Sequence, residues 1–280
     1  EDANFVLNKE DHMGVTGQNG VGKSTLIKIL TGEIIPDDGQ VKWQNKIDVG
    51  YLDQYAKLAP GVTIRGFLRT AFDELFKKEQ ELNELYTKYA ENSDNQLLEK
   101  AGKIQTYLEE NNFYDIDTEI EQVAAGLGLA DLGYDHDVSK LSGGQRSKII
   151  LAKLLLQSPD VLVLDEPTNY LDVSHIDWLV DYLNNFSGAF IVVSHDYDFL
   201  GRITNCIIDI DFGTITRYTG TLKQALRQKA ANRETYLKAY ANQQRKIAKT
   251  EAYIRKNKAG TRAKSAKSRE KQLARMDILT

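Results

Sequence analysis

The stretch that most restricts the fold is "HMGVTGQNGVGKSTLIKILTG", residues 12–32. It reads as a strand over about His12–Thr16, a glycine-rich turn, and a helix from near Lys23 to a glycine C-cap at Gly32. Within it, Gly17–Ser24 has the spacing G-x-x-x-x-G-K-S. Gly17, Gly20 and Gly22 permit backbone angles and close approaches that a Cβ would block. Successive backbone N–H groups then form a concave anion site, reinforced by the N-terminus of the helix. Lys23 is placed to reach terminal phosphates, and the Ser24 hydroxyl is a candidate Mg²⁺ ligand. Gln18, Asn19, Val21 and Thr25 complete the candidate phosphate-binding run. A glycine-rich turn that binds nothing is the competing reading. The strand before and the helix after count against it.

Further along, strands alternate with helices, which predicts an α/β domain with a mainly parallel sheet. "DVLVLDEP" and "AFIVVSHD" are apolar without alternation and read as strands buried on both faces. "CIIDIDFGTITRY" reads as an antiparallel hairpin, and so does "GQVKWQNKIDVGYLDQ", with its turn near Asn45. From Phe67, Leu68, Phe72, Leu75, Phe76, Leu82, Leu85 and Tyr89 follow a helical period, broken at "ENSDN". Further helices are expected over Leu97–Leu108 and about Asp117–Gly126. The expected layout is therefore one α/β domain over 1–221, with a helical insertion over about 67–150. A helical hairpin over 222–280 follows it.

Charge divides the chain at the same place. The net charge is −4, yet from Lys223 to Thr280 there are 17 Lys/Arg against 4 Asp/Glu, a net of +13. The other 222 residues carry 19 against 36, a net of −17. An acidic body with a basic tail points to a polyanionic partner for the tail. "TRAKSAKSR" brings Arg262, Lys264, Lys267 and Arg269 together with no acid, the pattern of a phosphate-backbone contact. A solvated hairpin, with Leu237, Tyr240, Ile247 and Ile254 packed on Leu273 and Met276, is the plainer alternative. No apolar run approaches the ~18 residues of a membrane span. The one cysteine, Cys206, sits in an apolar strand and reads as a packed, inert thiol that suits a reducing cytosol.

Four further features carry chemistry. Asp165 and Glu166 end a buried strand, where ligand sites of open α/β sheets lie. Asp165 suits a Mg²⁺ shell, and Glu166 suits polarisation of an attacking water. His195 also ends a strand and is a candidate for phosphate or water contact. His12, His136 and His175 lack such a setting and read as structural. Gln54 ends "DVGYLDQ" and offers a carbonyl to Mg²⁺ or water, with an exposed loop glutamine as the alternative. Leu141–Gln145, "LSGGQ", places Ser142, Gly143 and Gly144 ahead of a helix, an arrangement suited to an anion.

In order, GQNGVGKS, Gln54, LSGGQ, LDEP, "NYLD" (169–172) and "SHD" (194–196) resemble the motif series of an ABC ATPase. "LLLQSPDVLVLDEPTNYLD" and the basic helical tail are similar to the ABC-F group, whose members are soluble tandem-domain proteins that often act on ribosomes. The resemblance implies ATP and Mg²⁺ as cofactors and Glu166 and His195 as catalytic residues. It makes Asp172 the D-loop residue and sends the tail toward tRNA. It also implies that LSGGQ contacts a phosphate held by a facing ATPase domain. Three departures stand out. The chain has a single G-x-x-x-x-G-K-S, so its partner domain is expected in a missing part of the same protein or in a second copy. Gly17 is preceded by 16 residues, so the aromatic that stacks on adenine is expected further upstream. Tyr170 stands where the family often has histidine. The expected function is ATP hydrolysis driving open–closed cycling on the ribosome, in the cytoplasm and without membrane insertion. An ATPase subunit of a membrane transporter, or a nucleotide-dependent binding module with little turnover, remains open.

Overall fold

The computed structural model describes residues 3–18, 20–52, 58–211, 214–259 and 261–276. The chain divides into two compact units, Glu1–Leu222 and Lys223–Thr280.

Among its described residues, the first unit is built on a six-stranded sheet. Its strands are β1 (His12–Gly17), β2 (Val49–Tyr51), β3 (Val161–Asp165), β4 (Ala189–Val193), β5 (Cys206–Asp211) and β6 (Thr214–Thr219), in the order β2-β3-β4-β1-β5-β6. All neighbours are parallel except β5 and β6, which are antiparallel. The apolar runs of β3 and β4 have the expected cause: both faces are covered, and every residue of β4 is buried. Met13, Val15, Val163, Ile191 and Ile208 form one face of this core, with Ile27 and Leu30 of α1 (Lys23–Leu30) against it.

Helices α2 (Ile64–Arg69), α3 (Asp73–Asn92), α4 (Asn95–Glu110), α5 (Ile116–Gly126) and α6 (Gly143–Gln157) lie between β2 and β3 in sequence. The helix expected from Phe67 starts earlier because Thr63 caps it, its Oγ1 accepting the Gly66 N–H at 3.0 Å. A 3₁₀ turn over Thr70–Phe72 then separates α2 from α3. Ser93, at φ 49°, ends α3, and Asp94 caps α4 by accepting the Gln96 N–H at 2.9 Å. Leu82, Ala101 and Leu108 form a small core between those two helices. Helices α7 (Val173–Asn184) and α8 (Tyr197–Ile203) complete the unit.

The hairpin expected over Gly39–Gln54 does not form in the described part of that segment. Its turn is present at Asn45–Lys46, with Lys46 at φ 65°. However, Val41–Gln44 joins no strand, and β2 pairs in parallel with β3 instead. Trp43, Ile47 and Val49 nevertheless pack on the core, so the segment presents one apolar face inward. Alternation reports burial, and it does not name the strand that will be paired.

The second unit contains α9 (Leu222–Asn257) and α10 (Ala263–Ala274). The second helix of the hairpin, expected from about Arg262 to Leu279, ends earlier in its described part. It closes at Ala274, where the N–H groups of Arg275 and Met276 turn back three residues to Gln272 and Leu273. The apolar stripe is accordingly covered only near the turn. Leu237 and Tyr240 stay exposed, while Ile247, Ile254 and Leu273 are half-buried. At ~1.5 Å per residue, a helix of 12 residues spans about 18 Å of the ~54 Å of α9. No helix in the described residues is long and apolar enough to cross a membrane.

Candidate functional site

The phosphate loop follows directly from β1. Gly17, Gly20 and Gly22 hold φ of 151°, 80° and 106°. A Cβ on Gly17 would lie 2.6 Å from the Ile210 carbonyl oxygen of β5, so only glycine fits where the loop leaves the sheet. Gly22 occupies the N-cap of α1 with no side-chain cap. The first-turn N–H groups of such a helix, here at Lys23, Ser24 and Thr25, have no partner within the helix. Lys23 is buried, and its ammonium donates to the carbonyls of Gly17 (2.8 Å) and Gln18 (3.0 Å). Val21 donates its N–H to the Gln18 carbonyl at 3.3 Å, which closes the loop on itself. Asn19 and Gln54 lie outside the described residues.

The strand ends supply the acids. A cavity of about 420 Å³ is lined by Ser24, Asp165 and Glu166, and also by Gly143, Arg146 and Tyr170. Glu166 has φ 50°, a left-handed angle unusual for a side chain of its size, and its N–H donates to Val193 at 2.8 Å. Its carboxylate meets His195 twice. Oε2 accepts the His195 backbone N–H at 3.2 Å, and Oε1 sits 3.3 Å from His195 Nε2. The second approach is within ion-pair range but outside hydrogen-bond geometry, so Oε1 is buried without a hydrogen-bond partner. Glu166 lines the cavity, and its buried oxygen keeps an unused capacity to accept a hydrogen. Ser24 and Asp165 offer hard oxygen donors to the same space, which fits Mg²⁺.

LSGGQ is locally self-satisfied. Ser142 caps α6, and the Gln145 side chain accepts the Ser142 N–H at 2.9 Å while Ser142 Oγ accepts the Gln145 N–H at 3.4 Å. Leu141 is buried and anchors the motif. Gly144 is tightly covered: a Cβ there would lie 3.1 Å from the ring of Tyr170. Tyr170 itself sits at φ 66° and is 67% exposed. Sequence reasoning noted Tyr170 as a departure and missed that it packs on this glycine. Asp172 caps α7, accepting the His175 N–H (3.1 Å) and the Ser174 hydroxyl (2.8 Å). These bonds, led by the His175 N–H, hold its carboxyl below the ordinary range. His175, read as structural from the sequence, also brings Nδ1 to 2.8 Å from Asp172 Oδ1.

In the basic unit, Arg262, Lys264 and Lys267 are exposed. Arg269 is exposed too, but its guanidinium lies 3.9 Å above the Tyr253 ring, which ties α10 to α9.

A family model described as ABC transporter matches residues 1–169, and a second model with the same description matches 208–280. YfmM, an ABC transporter ATP-binding protein of Bacillus subtilis strain 168, is 44% identical over 279 residues, which is 98% of this chain and 54% of that protein. The energy-dependent translational throttle protein EttA of Haemophilus influenzae is 34% identical over 269 residues, 95% of this chain and 47% of that one. A solved ATP binding subunit of an ABC transporter has a TM-score of 0.59 at 19% identity, over 82% of this chain and 86% of that one, a likeness of fold. The chain spans about half the length of the curated relatives it matches.

Proposed function

Because the chain belongs to the ABC transporter family and fits the N-terminal ATPase domain of its ABC-F group, we propose that it binds and hydrolyses ATP. The hydrolysis drives open–closed cycling of a longer ABC-F protein on the ribosome and tRNA. The observation that carries the chemistry is the Glu166–His195 pair, beside Ser24 and Asp165 in one cavity at the strand ends. Lys23 exchanges the carbonyls of Gly17 and Gln18 for phosphate oxygens. Glu166 Oε1 accepts a hydrogen from the attacking water. His195 holds that carboxylate through its backbone N–H on Oε2 and its Nε2 near Oε1. Ser24 and Asp165 hold Mg²⁺, with Gln54 as a further candidate, and the bound ion supplies neutralisation of phosphate charge. Ser142, Gly143 and Gly144 serve the nucleotide of a facing ATPase domain, and Asp172 serves as the D-loop residue. The exposed cations Arg262, Lys264 and Lys267 serve the RNA contact.

ATP turnover per chain should rise with protein concentration if a second copy supplies the facing motif. Glu166→Gln should lower kcat at least about 100-fold while leaving nucleotide binding intact. Near-normal turnover in that variant would sink the assignment. Tight binding without turnover at any concentration would leave a nucleotide-dependent binding module. For the ribosome, the longer protein with Glu166→Gln should co-sediment with ribosomes in ATP, and its absence from that pellet would count against the reading. The description of YfmM as an ABC transporter ATP-binding protein favours a second reading, an ATPase subunit of a transporter. A stable complex with a membrane protein on pull-down would select it.

A further inference from the structure

A second cavity shares no lining residue with the one around Glu166. It is an open groove of about 990 Å³ between α5, the end of α6 and α7. Trp178 forms one wall, seated on α5 at Gly126, where a Cβ would fall 2.1 Å from the indole. Tyr182 stands beside it, with ring centroids 5.5 Å apart. The Tyr182 hydroxyl donates to the Leu155 carbonyl at 2.7 Å, which fixes the second ring. Two rigid, half-buried aromatic faces are thus presented to the groove.

The charge in the groove has one sign. Its lining acids are Glu119 and Asp181, and no Lys or Arg lines it among the described residues. Glu119 is only partly exposed, and burial, with the like charge of Asp115, raises its carboxyl. Arg202, outside the lining, feels the charge of Asp181, yet the groove wall itself carries only carboxylates, which repel nucleic acid and anionic lipid alike. They attract an ammonium or guanidinium, which also stacks favourably on an indole face. The long apolar stems of Lys and Arg match an apolar wall ending in a carboxylate.

We propose that this groove docks a Lys- or Arg-bearing segment of a partner protein, its cation between Glu119 and Asp181 and its apolar stem or neighbour against Trp178. His175 lines the same groove and reaches Asp172 through the 2.8 Å approach of Nδ1. An occupant therefore bears on the loop that carries Asp172. That link to nucleotide turnover rests on the ATPase reading, whereas the docking does not.

The test is a displayed library of 12-residue peptides, selected on the full chain without nucleotide. The same library is selected in parallel on Glu119→Lys/Asp181→Lys. Peptides enriched on the parent should carry net positive charge beside an apolar residue. Synthesised singly, they should bind at least about tenfold more weakly to the charge-reversed chain. In a Trp43→Phe background they should shift the emission of Trp178. Should the reversed chain melt early, Glu119→Gln/Asp181→Asn replaces it, with weakening in the same direction expected. Acidic winners, binding indifferent to the reversal, a silent Trp178, or no enrichment would each overturn the proposal. So would oligouridylate or anionic vesicles binding in a manner lost with Trp178→Ala.

Discussion

In the Glu1–Leu222 unit, Phe190, Ile191 and Val192 of β4 are fully buried. Along α9, Tyr236, Leu237 and Tyr240 stand 42%, 55% and 37% exposed. Burial of one large apolar side chain contributes roughly 1.5–3 kcal/mol, and the first unit repeats it strand after strand. The second unit half-buries Ile247, Ile254 and Leu273 and adds smaller terms. One is the Glu234–Lys238 pair at 2.6 Å, four residues apart with the acid first. Such pairs contribute about 0.3–0.5 kcal/mol. Another is Arg269 over Tyr253, about 0.5–1 kcal/mol for an exposed pair. The first unit therefore carries its shape in its core. The second holds a helical form that is cheap to rearrange against a partner.

The strongest challenge to this contrast is Phe190→Ala. It should destabilise the first unit by about 3–5 kcal/mol in chemical denaturation. Leu237→Ala should change it by less than about 0.5 kcal/mol. Comparable losses would erase the distinction. Next comes Arg269→Ala, which should weaken the helical hairpin by about 0.5–1 kcal/mol. Hydrogen exchange should quicken across α10 while the melting of the sheet stays unchanged. If the sheet melted earlier as well, the two units would not be separable. A finer effect lies within the first unit. Asp137 accepts the Gly61 N–H at 2.9 Å and both the N–H and hydroxyl of Ser139, at 2.8 and 2.7 Å. These bonds, led by the Gly61 N–H, pull its carboxyl from 3.8 to about 2. A depressed carboxyl stabilises the fold above its unfolded value, and that contribution is lost as pH falls through the folded one. Asp137→Asn should therefore melt below the parent at neutral pH, and the gap should close between about pH 4 and pH 2. A gap that persists at pH 2 would assign the effect to something other than this carboxylate.

The sequence was most legible where one physical demand fixes the residue type. Strands β3 and β4, buried on both faces, must be apolar throughout, and they were read from that alone. The loop at Gly17 must be glycine because β5 lies against it, and its spacing was read before β5 was placed. Contacts made between distant segments were not legible. Tyr170 on Gly144 and Trp178 on Gly126 depend on how segments far apart in the chain meet. The pairing of β2 with β3 spans more than a hundred residues and leaves one faint trace at Gly50. A Cβ there would lie 2.6 Å from both Leu154 and Pro159, so a glycine inside a strand marked a close approach.

The left-handed angle at Glu166 has a genealogical consequence. A strained backbone of this kind costs on the order of 1 kcal/mol or more for a long side chain, and Gly or Asn holds it at less cost. For folding alone, glutamate is thus a poor choice at this position. On the role proposed for Glu166, a duplicated copy released from that role would lose this carboxylate downhill, drifting toward Gly or Asn while its fold grew firmer. Residue 166 is accordingly the place where a descendant that has stopped turning over would first record the fact. Resurrecting its chemistry would have to climb back against the stability gained.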